Sequence, residues 1–92
     1  ARGNYTMTNR IEIAKPAAKF IRSLPAPDKE RMLRAIHKLP EEGDIKQMKG
    51  AKAKGLFRLR VGDYRVIYSV DNGKLVVFVV DAGNRGQIYK RY

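Results

Sequence analysis

The chain has 92 residues, room for one small domain with one core, since a separately cored unit rarely falls much below ~50 residues. A hydrophobic content of 43%, with Phe 3, Tyr 5 and Trp 0, folds a compact chain but leaves little for a deep enclosed pocket, so chemistry belongs on a surface. Twenty Lys and Arg against nine Asp and Glu give +11 and point to a polyanionic partner, nucleic acid first, while zero Cys and a single His exclude a zinc finger, a disulfide scaffold, a thiol nucleophile and a His-paired dyad.

No run approaches the ~18 apolar residues of a membrane span, and no apolar run follows a basic start, so a cytoplasmic protein without membrane contact is expected. Residues 1–6 are mostly small and polar and precede Met7; they are expected to be a cloning remnant or disordered tail, leaving residues 7–92 as a single domain. Residues 9–14 alternate, Ile11 and Ile13 on one side and Arg10 and Glu12 on the other, which predicts a half-buried strand. From Pro16, the residues Ala17, Phe20, Ile21 and Leu24 recur at helical spacing until Pro25 and Pro27 forbid continuation. Asp28 serves as N-cap or first-turn acid of a second helix, whose face carries Met32, Leu33, Ile36 and Leu39. Pro40 and a loop with Glu41, Glu42 and Asp44 close it; three carboxylates without further ligands read as a solvated loop rather than a metal site. His37, far in sequence from the basic region, reads as an ordinary helix residue.

The second half turns to Val, Ile, Tyr and Phe punctuated by Gly, predicting strands over residues 56–61, 64–70 and 74–82 in an antiparallel meander. Gly62-Asp63 suits a two-residue type II′ turn, and Asp71-Asn72-Gly73 turns the chain again. Residues 76–80 are continuously apolar, so both faces of that strand should be covered. The expected fold is α+β, β-α-α-β-β-β, with an N-terminal strand and a helical hairpin packed on one face of a small, mainly antiparallel sheet and the other face open.

The charge is a patch. Residues 46–65 hold seven cations (Lys46, Lys49, Lys52, Lys54, Arg58, Arg60, Arg65) against Asp63 alone, and Arg85, Lys90 and Arg91 follow residue 84 unopposed. A two-residue turn pairs Val61 with Tyr64 and sets Arg60 opposite Arg65, Leu59 opposite Val66 and Arg58 opposite Ile67. Phe57, Leu59, Val61, Tyr64, Val66 and Tyr68 then face the core, and Arg58, Arg60 and Arg65 share the other face. Like charges opposed on a sheet repel, and no acid in either strand's outward row relieves them, so an external anion is expected. Tyr89 and Tyr92, flanked by Lys90 and Arg91, fit the aromatic-plus-basic pattern for unpaired nucleotides, although docking of the chain end on the sheet is the competing role for Tyr89. Asp81 is an acid or base candidate or a strand-end partner for Arg85.

The run Leu56-Phe-Arg-Leu-Arg-Val-Gly-Asp-Tyr-Arg-Val-Ile-Tyr68, followed by Val77-Phe-Val-Val-Asp-Ala-Gly-Asn-Arg85 and Ile88-Tyr89, closely resembles the RelE toxins of the RelE/ParE superfamily. The basic loop with Lys49-Gly50 fits as well. The resemblance implies a type II toxin that cleaves translated mRNA in the ribosomal A site without a metal or other cofactor, by attack of the 2′-hydroxyl. It also implies a cognate antitoxin wrapped around the toxin in a hetero-oligomer, and the 70S ribosome, with its mRNA and rRNA, as the other partner. Carried over by position, Arg58 matches a catalytic Lys or Arg on the strand before the turn, and Arg65 the phosphate-binding arginine. Arg85 matches the arginine that stabilises developing charge or protonates the leaving oxygen, and Tyr89 the tyrosine that stacks on a base or helps activate the nucleophile. Leu56 departs from the pattern, standing where relatives carry a second Lys, for which Lys52 or Lys54 can substitute. Lys49, Lys52, Lys54, Arg60, Lys90 and Arg91 are the expected RNA-binding cations, and the catalytic arginines are expected to converge on one phosphate.

Arg stays charged, with a reference pKa of about 12.5 or more, and Tyr titrates near ~10, so proton transfer is the weak step and orientation by an outside scaffold is the natural complement. Two readings compete: a ParE-like inhibitor of DNA gyrase on the same fold, and a plain RNA-binding module for which charge alone suffices.

Overall fold

The computed structural model describes residues 10–71, 73 and 76–88. Residues 1–6 lie outside that range, as do Tyr89, Lys90, Arg91 and Tyr92. The elements run β1 (Arg10–Ile13), α1 (Lys15–Arg22), α2 (Ala26–His37), β2 (Asp44–Gln47), a 3-10 turn (Ala51–Ala53), β3 (Phe57–Val61), β4 (Tyr64–Asp71), β5 (Val76–Asn84) and α3 (Arg85–Ile88). The α+β class and the helical hairpin on a mainly antiparallel sheet are as expected.

Five strands form one sheet in the order β1-β5-β4-β3-β2. The β3–β4 register is the one expected, with Val61 opposite Tyr64 and Arg60 opposite Arg65. Gly62 turns the chain at φ 60°, the left-handed value a type II′ hairpin demands at its first position. β1 joins the sheet in parallel beside β5, Ile11 level with Val77 and Ile13 with Val79. A bulge lies opposite Ile67 and Tyr68, where Asp81 faces the former and Val79 the latter.

Two elements go beyond the expected order. Residues 44–47 form β2, an edge strand antiparallel to β3, rather than the end of a loop. Arg85–Ile88 forms the short helix α3, which lies against β4 and β5. Pro27 does not delay α2, because it occupies the first turn, where a missing N–H costs no hydrogen bond. α1 ends at Arg22, and the Ser23 hydroxyl donates to the Phe20 carbonyl at 2.6 Å.

The core lies between the helices and one sheet face: Ala17 and Ile21 of α1 and Met32 and Ile36 of α2 meet Leu59, Val61, Val66, Tyr68, Val77 and Val79. The opposite face is partly covered, since Ile67, Ala53 and Ile88 are also buried. Among the described residues no helix is long and apolar enough to cross a membrane.

Candidate nucleic-acid interface

The cations that share a face by register fall into three settings. Arg58 stands in the middle of β3, directly opposite Lys46 of β2. Its Nη2 lies 3.4 Å from Asp44 Oδ1, and its buried Nε has no acceptor among the described residues. Asp44 of β2 is thus a carboxylate within reach of Arg58. The contact is long for a charge-assisted bond, whose ordinary N···O distance is about 2.7–2.9 Å.

Arg65 is buried, only 4% exposed. Its Nη1 donates to the carbonyls of Gly62 and Tyr64 at 3.0 and 2.9 Å, so it clamps the hairpin turn, while its Nε has no acceptor among the described residues. Opposite it in β5 is Gly83. Arg85 is exposed at the head of α3, and its backbone N–H donates to the Asp63 carbonyl at 3.1 Å. Arg65 and Arg85 are thus tied to the same turn, with Arg58 one diagonal away from Arg65, a Cβ spacing of about 7–8 Å. Lys46 and Arg58 thus face one another across β2 and β3, while Arg65 through its side chain and Arg85 through its backbone are both tied to the Gly62-Asp63 turn.

Arg60 stands apart from these. It is exposed and borders a hollow of about 340 Å³ shared with Arg31, Arg34 and Lys38 of α2 and with Glu42. The expected repulsion between Arg60 and Arg65 is thus resolved by separation, one exposed beside α2 and the other buried at the turn. A second hollow of about 290 Å³ is lined by Lys46, Gln47, Met48, Lys49 and Arg58. Lys52 and Lys54 are exposed around the 3-10 turn and line neither. A groove of about 680 Å³ between α1 and β5 is mostly apolar, with Pro16, Phe20, Val80 and Ala82 beside Lys19 and Asp81.

From sequence Lys46 counts toward the basic patch without a place in the site, and Arg31, Arg34 and Lys38 are not marked at all. A strand at residues 44–47 would have revealed the first, and the i, i+3, i+7 spacing on α2 the other three. His37 is exposed, and its Nδ1 lies 2.7 Å from the carbonyl of Leu33 in its own helix. Asp81 is buried and accepts the Ala82 N–H at 2.9 Å. Among the described residues no cluster of His, Cys, Asp or Glu could hold a metal.

A helical hairpin on a five-stranded sheet with a cationic outer face defines a RelE/ParE-type toxin. The chain belongs to the ParE toxin family of type II toxin–antitoxin systems, whose model matches residues 11–89. It is 33% identical to a chain of the archaeal RelE–RelB complex from Pyrococcus horikoshii, covering 87% of this chain and 98% of that one with a TM-score of 0.70. The fold is also that of a RelBE toxin–antitoxin complex from Mycobacterium tuberculosis (20% identity, TM-score 0.74, 87% of this chain and 94% of that one). The isolated RelE toxin of Escherichia coli shares it too, at 22% identity and TM-score 0.66, over 90% of this chain and 93% of that one. No curated protein matches the chain.

Proposed function

We propose that this toxin is a ribosome-dependent endoribonuclease that cuts translated mRNA. The observation that carries the reading is the shared face of Lys46, Arg58 and Arg65, with exposed Arg85 tied to the same turn as Arg65, where two buried guanidinium Nε atoms have no acceptor among the described residues and one carboxylate stands 3.4 Å from Arg58. In the reaction the 2′-oxygen attacks the adjacent phosphorus and loses its proton. The bond from phosphorus to the 5′-oxygen breaks, and that oxygen gains a proton, leaving a 2′,3′-cyclic phosphate and a 5′-hydroxyl. Arg58 binds the phosphate and Arg85 meets the charge that develops on it. Arg65 acts from beneath, as a fixed positive charge and as the clamp that holds the turn carrying Arg85. Tyr89, as the resemblance implies, orients or activates the nucleophile.

The partner at rest is a cognate antitoxin. RelE–RelB complexes among the similar structures support it, as does the physical match between an acidic amphipathic segment and a cationic face beside the apolar α1–β5 groove. The family description, which names ParE, favours a second reading as a gyrase inhibitor.

Primer extension on a translated message, with and without ribosomes, separates the two. The parent should cut only when ribosomes are present, and Arg58→Ala and Arg85→Ala should each reduce cutting by about 10²-fold or more. Arg65→Ala should also abolish it, but must be read beside circular dichroism because it unclamps the hairpin. Intact message with stalled gyrase would overturn the nuclease reading in favour of the other.

A further inference from the structure

We propose that the hollow between β2 and β3 is a phosphate subsite for the RNA strand, with Lys46 as its principal cation; the assignment rests on the RNA-cleaving reading above. Lys46 and Arg58 face one another across the β2–β3 ladder, so both project from the same side of the sheet. Lys49 lines the same hollow. Directly opposed like charges destabilise a sheet, and Asp44, 3.4 Å from Arg58 Nη2, has a side chain 57% exposed. Arg58, with its side chain 16% exposed, keeps a buried Nε donor without an acceptor among the described residues. Three cations around a cavity, one of them with an unsatisfied donor, are completed by an anion. A space of about 290 Å³ admits a phosphodiester with several waters, each of which takes on the order of 30 Å³.

Register also answers which lysine compensates for Leu56. The Met48 N–H donates to the Leu56 carbonyl at 3.0 Å, continuing the ladder one step beyond Gln47 and Phe57. Lys46 is therefore diagonal to Leu56 on the same face, a spacing of about 7–8 Å that a long side chain spans. Its compact ammonium can meet a phosphate held near Arg58 from the neighbouring strand. Lys52 and Lys54, although closer to Leu56 in sequence, are on or beside the 3-10 turn and do not line the hollow.

A 2′-O-methyl trinucleotide, which cannot be cleaved, is the binding probe, titrated into ¹⁵N-labelled full-length protein. The largest shifts should fall on the amides of residues 46–49 and on Arg58 Nε. Lys46→Ala should weaken binding about tenfold and lower the slope of log K against log salt by ~0.7, the value for one contact to a single strand. Lys46→Arg should restore both, and Lys15→Ala, exposed at the start of α1 and lining none of these hollows, should stay within about twofold of the parent. Shifts centred on residues 52–54, or parental affinity in Lys46→Ala, would overturn the assignment. Cleavage of translated message by the same proteins is scored separately. A parent that binds as described but leaves message intact sinks the nuclease reading and leaves the subsite standing, whereas a cutting parent whose Lys46→Ala variant binds and cuts normally sinks the subsite alone.

Discussion

Tyr64 joins the hairpin to the helices through one hydroxyl. It donates to Asp28 Oδ2 at 2.8 Å, while Arg31 Nη2 reaches the other oxygen at 3.2 Å, and the Tyr64 ring packs edge-on against Phe20 with centroids 5.8 Å apart. The bond to the Asp28 carboxylate, helped by partial burial, holds the phenol above its ordinary value near 10. Burial shifts Tyr68 the same way. Because the unfolded chain ionises first, the stability tied to these groups is complete below about pH 10 and is lost as pH rises through the raised folded values. The midpoint of urea unfolding should fall as pH rises above about 10, and Tyr64→Phe should flatten that fall; an unchanged slope would refute the link. At this same scale the sequence revealed the face shared by Arg58 and Arg65 but not their surroundings. Neither the burial of Arg65 under its own turn nor the pairing of Lys46 with Arg58 follows from strand periodicity.

Edge strand β2 has one half-buried apolar residue, Ile45, among Asp44, Lys46 and Gln47. Four residues with a single apolar position carry no readable period, which is why residues 44–47 read as loop; β3 makes them a strand by offering an unpaired edge. The same limit hid α3, one turn long. β3 and β4 were legible down to the register because Gly62 sets the turn and alternation sets the face. What holds β2's entry close is Gly43, at φ 135°, where a Cβ would lie 2.6 Å from Leu59 Cδ1. Leu59 is 1% exposed. Leu59→Ala should cost about 2–5 kcal/mol and Gly43→Ala about 1–3 kcal/mol. Together they should cost less than their sum, since the truncated side chain vacates the space the new methyl needs. Equilibrium denaturation of the four proteins in the cycle checks this; strict additivity would mean that the clash is relieved elsewhere.

Across the whole molecule, β5 is the strand on which the sheet depends. It separates β1 from β4 and supplies Val77 and Val79 to the core. A chain stopped after Asp71 retains both helices and β2–β4 but leaves β1 with no neighbour. Such a chain should show no cooperative thermal transition and little protection of amides in residues 10–13 from hydrogen exchange; a sharp transition would mean the hairpin and helices suffice. Pairing residues 10–13 with residues 76–79 spans most of the polypeptide, so loop-closure entropy must be met before that contact returns anything. The parallel seam between β1 and β5 therefore acts as a clock. While the polypeptide is still being threaded out of the machine that makes it, its opening strand has nothing to dock against, and Arg85 has not yet reached the turn formed by Gly62 and Asp63. A newborn copy cannot close its sheet until residues 76–79 have emerged and docked beside β1.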